Sequence, residues 1–315
     1  PVVAAGQTDP VASRDDAADD PAIWVNASDP AQSLIVGTDK QAGLYVYGLD
    51  GAVRHFSAAG RVNNVDIRDG ISFGGEEAII VAASERADIA NAHILFFRLN
   101  TDPVRLDQIA RIPAGPGEAY GFCLGRAPDG LLHAFLNTKE GSIHHLVMDF
   151  EGEPQIVRQR TLQVPSQPEG CVVDERTGQL YVGEENAGIW RFDLETGQGG
   201  RVIDIDGRQL VADVEGLALA PAGETGGYLL ASSQGDSAFA VYSLDDLSFA
   251  GRFYIATGNG FDAVTETDGI ELSLSALGSD YPGGLLIVQD GHTPAGRQNF
   301  KLIDWRQVRD ALNLD

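Results

Sequence analysis

The chain has 315 residues, of which 43% are hydrophobic, and this is enough for one large all-β domain or two ordinary domains. Asp and Glu number 46 against 22 Lys and Arg, and the formal net charge of -24 argues against nucleic acid as a partner. Apolar runs are short and interrupted, so we expect no membrane-spanning segment. Such an acidic surface keeps a protein soluble or gathers carboxylates for a hard cation such as calcium.

Three kinds of segment recur six times along the chain. A turn with acid or amide groups leads into an apolar strand, in copies that begin at Asp19, Asn63, Tyr120, Pro168, Val214 and Thr267. An apolar run ending in polar residues follows, in copies that begin at Leu34, Ala78, Leu131, Leu180, Tyr228 and Leu285. A third strand, usually rich in aromatic residues, comes next and begins at Gly43, His93, Ser142, Gly188, Ala238 and Asn299.

This repeat of roughly 45–55 residues has the length of a four-stranded propeller blade. The sequence therefore predicts an all-β fold, a six-bladed β-propeller with four-stranded antiparallel blades, as a single domain over residues 1–315. Only the tail from Trp305 to Leu312 shows helical periodicity. We expect the N-terminal run Pro1–Ala5 to supply the missing outer strand of the last blade and to close the ring.

Polar residues should converge on one face of this propeller. Successive strands of a blade are antiparallel, so the start of the first strand and the end of the second strand lie together. The first-strand starts contribute Asp19, Asp20, Asn63, Asn64, Tyr120, Glu169, Glu215 and Asp268. The second-strand ends contribute Lys40, Arg86, Lys139, Glu140, Glu184, Glu185, Gln234 and Asp290. Repeat register alone thus predicts a ring of carboxylates that includes a few cations.

Crowded carboxylates repel one another unless their pKa values rise or cations bind. Calcium accepts six to eight oxygen ligands and suits this inventory, although any single Asp or Asn here also fits a plain turn. The cations Lys40, Arg86 and Lys139 are candidates for binding an anion such as phosphate. Internal salt bridges, for example to Glu85 or Glu140, are the alternative reading of these cations.

At this point the motifs resemble those of the β-propeller phytases over nearly the whole chain. The residues that carry the resemblance are DDPAIW at 19–24, NNVDIR at 63–68, YGF at 120–122, KEG at 139–141, EEN-AGIW at 184–190, EGL at 215–217, ASSQG at 231–235, TDGI at 267–270 and NFK at 299–301. The resemblance implies several bound calcium ions and hydrolysis of phytate (myo-inositol hexakisphosphate), taken as its calcium complex. It further implies attack by a calcium-activated water and two adjacent phosphate sites.

Site residues are carried over position by position. The calcium ligands would be Asp20, Glu169, Glu185, Glu215, Gln234 and Asp268, with Asp19 and Asn64 nearby. The phosphate contacts would be Lys40, Arg86, Tyr120 and Lys139, with Glu140 in the same cluster. We count Glu185 in both the metal set and the catalytic set.

Two features depart from the family pattern. Gln7 stands where family members often have Glu, so a calcium ion there would lose one charged ligand. The pair Cys123 and Cys171 is not part of the pattern, and we expect two free thiols, with one disulfide bridge as the alternative. We further expect a secreted or periplasmic monomer that binds neither nucleic acid nor membrane.

Two other functions fit parts of the pattern. A calcium-dependent propeller lactonase would need one central ion and fewer cations, so Lys40, Arg86 and Lys139 count against it. A non-catalytic ligand-binding propeller is the other alternative, because a fold does not by itself determine a function.

Overall fold

Strands occupy most of the chain in the computed structural model, which describes residues 1–126 and 130–314. Two short strands come first, β1 (Val2–Val3) and β2 (Gly6–Gln7). Three four-stranded antiparallel sheets follow, and each forms one blade with its strands side by side in chain order. Their strands are β3–β6 (Ala18–Trp24, Leu34–Asp39, Gly43–Gly48, Val53–Ser57), β7–β10 (Val62–Phe73, Glu76–Glu85, Asn91–Thr101, Val104–Pro116) and β11–β14 (Ala119–Arg126, Leu132–Thr138, Ser142–Asp149, Gln155–Gln163).

Three more blades complete the ring. The fourth and fifth blades contain β15–β18 (Pro168–Asp174, Gln179–Glu184, Gly188–Asp193, Gly199–Asp204) and β19–β22 (Val214–Ala222, Gly226–Ser233, Ala238–Ser243, Phe249–Phe253). The short strand β23 (Ile255–Ala256) precedes the sixth blade, which contains β24 (Ile270–Ser273), β25 (Leu285–Asp290) and β26 (Asn299–Asp304). The predicted six-bladed propeller with four-stranded antiparallel blades is confirmed.

The N-terminus supplies the fourth strand of the sixth blade, but not from the residues predicted. Strand β2 pairs antiparallel with β26, whereas β1 pairs in parallel with β23. The prediction that Pro1–Ala5 forms the closing strand is therefore wrong in its bounds. Val2 is instead buried in an apolar cluster that also contains Ile255, and the next residues reach the sheet edge.

The first strand of each blade lies nearest the axis and contacts the first strands of the neighbouring blades. Glycines permit this close approach. A Cβ atom on Gly121 would collide with the backbone of Glu169, and a Cβ atom on Gly170 would collide with the backbone of Glu215. Because each glycine follows a predicted site residue, tight packing of the inner strands also determines how closely those side chains approach one another.

Cys123 and Cys171 form a disulfide, so the expectation of two free thiols is wrong. They lie on β11 and β15, the inner strands of the third and fourth blades, with Cα atoms 5.6 Å apart. This separation is within the range that a disulfide spans. The sequence places the two cysteines in neighbouring repeats, but only the contact between inner strands brings them together.

One helix ends the described chain. The helix predicted over Trp305–Leu312 is confirmed as α1, and the Asp304 side chain caps it by accepting the backbone N–H of Arg306. Two 3-10 turns, Pro30–Gln32 and Gln234–Asp236, lie in loops. Among the residues that the structure describes, no helix has the length and apolar character needed to cross a membrane.

Candidate active site

β-Bulges place the polar residues of the inner strands on one face of the propeller. In each of the first five blades, two inner-strand residues lie opposite a single residue of the second strand. The bulged pairs are Asp19 and Asp20, Asn63 and Asn64, Tyr120 and Gly121, Glu169 and Gly170, and Glu215 and Gly216. A bulge redirects side chains, so the same local irregularity presents a functional group in every one of these blades. In the sixth blade, Asp268 lies just before β24.

Small polar side chains opposite the bulges form hydrogen bonds with backbone groups of the inner strands. Thr38 Oγ1 accepts the N–H of Asp20 at 2.9 Å, and Ser84 Oγ accepts the N–H of Asn64 at 3.1 Å. Ser232 Oγ donates to the carbonyl oxygen of Asp268 at 2.8 Å and so joins the fifth blade to the sixth. These bonds fix the backbone that carries the site.

Three buried glutamates from the fourth and fifth blades form the centre of the site. Carboxylate oxygens of Glu169, Glu185 and Glu215 all lie within 4.8 Å of one another. Burial raises the pKa of Glu215 well above its usual value, and the charge of Glu169 raises it further. Burial also raises the pKa of Glu185, against the hydrogen bond that Gln167 Nε2 donates to it at 2.6 Å.

The amide of Asn63 connects these glutamates to the first two blades. Its Nδ2 atom lies 2.9 Å from Asp19 Oδ2 and 2.8 Å from both Asn64 Oδ1 and Glu169 Oε1. Its Oδ1 atom accepts Arg86 Nη1 at 2.7 Å. A primary amide has only two N–H bonds, so Asn63 cannot donate fully to all three oxygens.

Two cations and an acid surround Tyr120. Lys139 Nζ and Arg86 Cζ lie 4.9 Å and 5.7 Å from the centroid of the Tyr120 ring. Glu118 pairs with Arg86 at 2.7 Å and with Lys139 at 3.5 Å. Burial raises the pKa of the Tyr120 hydroxyl, and Glu169 raises it further, so the phenol stays protonated. The salt-bridge partner of both cations is thus Glu118, not the Glu85 or Glu140 considered from the sequence.

The remaining predicted ligands lie at two places around this centre. Gln234 Nε2 donates to Asp268 Oδ1 at 2.5 Å, and Asp268 Oδ2 lies 3.8 Å from Lys40 Nζ. Asp20 accepts the N–H of Val65 at 3.0 Å and lines a small cavity between the inner strands together with Asn64. The structure therefore groups Asp268 and Gln234 beside Lys40, and sets Asp20 at this cavity.

Several residues predicted for the ring have other partners. Glu184 accepts Trp190 Nε1 at 2.8 Å and the N–H of Ser166 at 2.8 Å. Asp290 lies 3.1 Å from the fully buried Lys301 Nζ. Glu140 is exposed, and its carboxylate accepts the N–H of Glu118 at 3.1 Å.

Gln7 also has a partner other than a metal ion. Its amide oxygen accepts Lys301 Nζ at 2.8 Å, and the same ammonium group lies 2.6 Å from Asp262. Lys301 thus places a positive charge beside Gln7, the residue that the sequence pattern suggests as a calcium ligand.

Sequence reasoning missed one site residue and left a second without a role. Glu118 precedes the first strand of the third blade by one residue, outside the repeated motif, so the register does not single it out. Asn63 is part of a bulge, and its central position follows only from the inter-blade contacts. The repeated pair at the strand starts, a polar residue followed by Asp, Asn or Gly, is the signal that reveals the bulges.

The donor set of the three glutamates fits a hard divalent cation. Glu215 Oε2 is buried and has no hydrogen-bond partner within residues 1–126 and 130–314. The oxygens around Asn63 and the glutamates are carboxylates and amides, which calcium prefers as ligands. A bound cation would also remove the repulsion that raises the pKa values of Glu169 and Glu215.

The fold and this site together define a class, a six-bladed β-propeller whose acidic face carries three buried glutamates and a pair of cations. A model of the Phytase family matches residues 1–315. The 3-phytase of Bacillus subtilis (strain 168) is 38% identical over 326 aligned positions, which cover 99% of this chain and 85% of that protein. The chain therefore belongs to the phytase family and is a phytase-type hydrolase.

Proposed function

We propose that the protein hydrolyses phytate on its acidic face, and that it needs bound calcium to do so. The observation that carries this proposal is the presence of Lys40, Arg86 and Lys139 beside three buried glutamates. Family membership supports the reaction class. Carboxylates alone would repel a phosphate ester, so the cations and the metal have complementary roles.

Glu169, Glu185 and Glu215 would hold calcium, with Asp19, Asp20, Asn64, Gln234 and Asp268 as further ligands. When bound, calcium would screen phosphate charge and lower the pKa of a water that attacks phosphorus. The same face with its carboxylates ionised repels free phytate, which supports the calcium complex of phytate as the substrate.

The cations of this face stabilise the phosphoryl group as its charge changes during the reaction. Arg86 presents a planar guanidinium, which suits phosphate oxygens, and Lys40 and Lys139 present point charges. Tyr120 remains protonated and can donate a hydrogen bond to a phosphate oxygen. Glu140 holds the backbone of Glu118 and thereby supports the cation pair.

We also propose that the protein is secreted or periplasmic. Disulfides persist in oxidising compartments and are rare in the cytosol of mesophiles. The disulfide between Cys123 and Cys171 therefore supports this location. It joins two buried residues on the inner strands of neighbouring blades.

Two substrates distinguish the proposal from the alternatives. Phosphate release from phytate and hydrolysis of a lactone are measured in parallel at one saturating calcium concentration. We expect phosphate release without lactone hydrolysis. Lactone hydrolysis without phosphate release would instead favour a lactonase, and neither reaction would favour a ligand-binding propeller.

A further inference from the structure

Glu118 lies between two cations that different blades contribute. Its Oε1 atom is 2.7 Å from Arg86 Nη2 and 3.5 Å from Lys139 Nζ. Arg86 directly follows β8 of the second blade, and Lys139 directly follows β12 of the third. One carboxylate oxygen therefore ties together the two strand ends that carry these cations.

The guanidinium of Arg86 is held from two sides, and two of its five N–H donors are engaged by these contacts. Nη1 donates to Asn63 Oδ1 and Nη2 donates to Glu118 Oε1, both at 2.7 Å. The buried Nε has no hydrogen-bond partner among the described parts of the chain. An acceptor on each Nη atom fixes the plane of the guanidinium, so Nε points in one direction.

Both cations also share one aromatic ring. Lys139 and Arg86 lie near Tyr120 at cation–π distances. Without an acceptor oxygen at position 118, the two like charges would repel across this ring, and the more exposed Lys139 would turn toward solvent. Burial favours protonation of Glu118, but Arg86 and Lys139 outweigh it and hold the pKa of its carboxyl below the usual value. Glu118 is therefore charged under working conditions.

The opposite role for Glu118 would be competition with the substrate for these cations. A competitor would occupy the donor atoms that the phosphate needs. Glu118 instead engages one N–H of Arg86 Nη2, and Asn63 engages one N–H of Nη1, so a second N–H on each terminal nitrogen is left for an anion. The geometry therefore favours positioning over competition.

We propose that Glu118 is a positioning residue for phosphate-ester hydrolysis. Its carboxylate holds Arg86 and Lys139 in one arrangement around Tyr120, and the substrate phosphate binds to that arrangement. This inference rests on the proposed phosphate-binding role of the two cations. Glu118 itself acts through them and does not touch the reacting atoms.

The test compares Glu118→Ala with Glu118→Gln on phytate in saturating calcium. We expect Glu118→Ala to lower kcat at least about tenfold, because misplaced cations lose transition-state stabilisation. KM should not rise, because the substitution adds net positive charge near the phosphate. Glu118→Gln keeps an oxygen acceptor for Arg86 and should restore kcat to within about threefold of the wild type. An Ala variant as fast as the wild type or faster, or a Gln variant as slow as the Ala variant, would overturn the proposal.

Parallel variants separate this inference from the proposed function. Glu224→Ala removes an exposed glutamate from the turn between β19 and β20 and should leave kcat unchanged. If Arg86→Ala and Lys139→Ala are slow but Glu118→Ala is normal, only the role of Glu118 is rejected. If both cation variants keep wild-type kinetics, the phosphate role of the cations fails, and the role of Glu118 fails with it.

Inhibition by inorganic phosphate provides a readout that does not depend on the stability of Glu118→Ala. Glu118→Gln retains the arrangement but removes one negative charge, so the inhibition constant for phosphate should fall at least about threefold. An unchanged inhibition constant would show that Glu118 does not act on the phosphate-binding cations, and would overturn the proposal even if the Ala variant does not fold.

Discussion

Lys40 Nζ lies 3.0 Å from Asp19 Oδ1, so a second-strand end and a first-strand bulge of the same blade form an ion pair. The Lys40 side chain is only 12% exposed and also contacts Asp16 at 2.5 Å. Burial favours the neutral amine, but Asp19 and Asp268 outweigh it and hold the pKa of Lys40 above its usual value. Lys40 therefore stays positively charged within the acidic face.

Replacement of Lys40 tests the use of this cation. We expect Lys40→Ala to reduce kcat/KM on phytate about 10²-fold, the usual loss for one transition-state donor. The melting temperature should also fall, because Asp19 loses its buried partner. Rates are therefore measured well below the melting temperature of the variant. Arg105→Ala is the matched control, since it removes an exposed ion pair on the outer strand β10. Equal kinetics for the two variants would make Lys40 a structural cation only.

The disulfide between the third and fourth blades makes a separate prediction. The two cysteines are 48 positions apart, and closing a loop of this size in the unfolded chain stabilises the fold by about 4 kcal/mol. The double substitution of Cys123 and Cys171 by Ala should lower the free energy of unfolding by this amount. Intact mass after alkylation in denaturant should show no label without reductant and two labels with it. Two labels without reductant would contradict the bond.

The strand pattern of this protein is predictable because each blade repeats the same local signals. Apolar strands, Gly-rich turns and a regular period predict six blades, and Trp305–Leu312 is a helix as its periodicity indicates. The closing strand is harder to predict, because both halves of the N-terminal run have strand character. Packing of Val2 against the fifth and sixth blades decides which part completes the ring.

The site is predictable only in part, for a physical reason. Register brings strand starts and ends to one face, but it contains no information on distances between blades. The disulfide, the central position of Asn63 and the bridging by Glu118 all depend on those distances. Glu184 shows a different limit, because the repeat register does not reveal that Trp190 of its own blade engages its carboxylate in a hydrogen bond.

The inner-strand glycines should be intolerant of even one methyl group. In Gly170→Ala, the new Cβ would meet the carbonyl oxygen of Glu215, and the fourth and fifth blades would have to separate. We expect a loss of about 1–3 kcal/mol in the free energy of unfolding, together with weaker calcium binding. Gly200→Ala is the control, because apart from its chain neighbours no atom of residues 1–126 and 130–314 lies within 4 Å of its added Cβ. Equal denaturation midpoints for the two variants would show that the inner ring is not tightly packed.

The raised carboxylate pKa values predict how pH affects the metal-free protein. Burial, and then the charge of Asp19, raises the pKa of Glu169 to about 7, and burial raises those of Glu215 and Asp268. An acid whose folded pKa exceeds its unfolded value, about 4, binds more protons when folded. Stability contributed by the protonated form is therefore lost as pH rises from about 4 to about 7.

Melting curves with and without calcium test the predicted loss of stability with rising pH. The melting temperature of protein stripped of divalent cations should fall between pH 5 and pH 8. Excess calcium should prevent that fall, because an ion at a hundredfold excess over its Kd adds about 2.7 kcal/mol. The difference between the two curves should widen as pH rises. A difference that is the same at pH 5 and pH 8 would mean that calcium does not bind to these carboxylates.

The central claim is that the buried glutamates bind calcium and that this binding makes phytate hydrolysis possible. Its most direct test is the rate of phosphate release from phytate as a function of free calcium, for the wild type and for Glu215→Gln. We expect no release in chelator, a saturable rise with calcium, and a curve displaced to higher calcium in the variant. Undiminished release by the wild type in chelator would contradict the central claim.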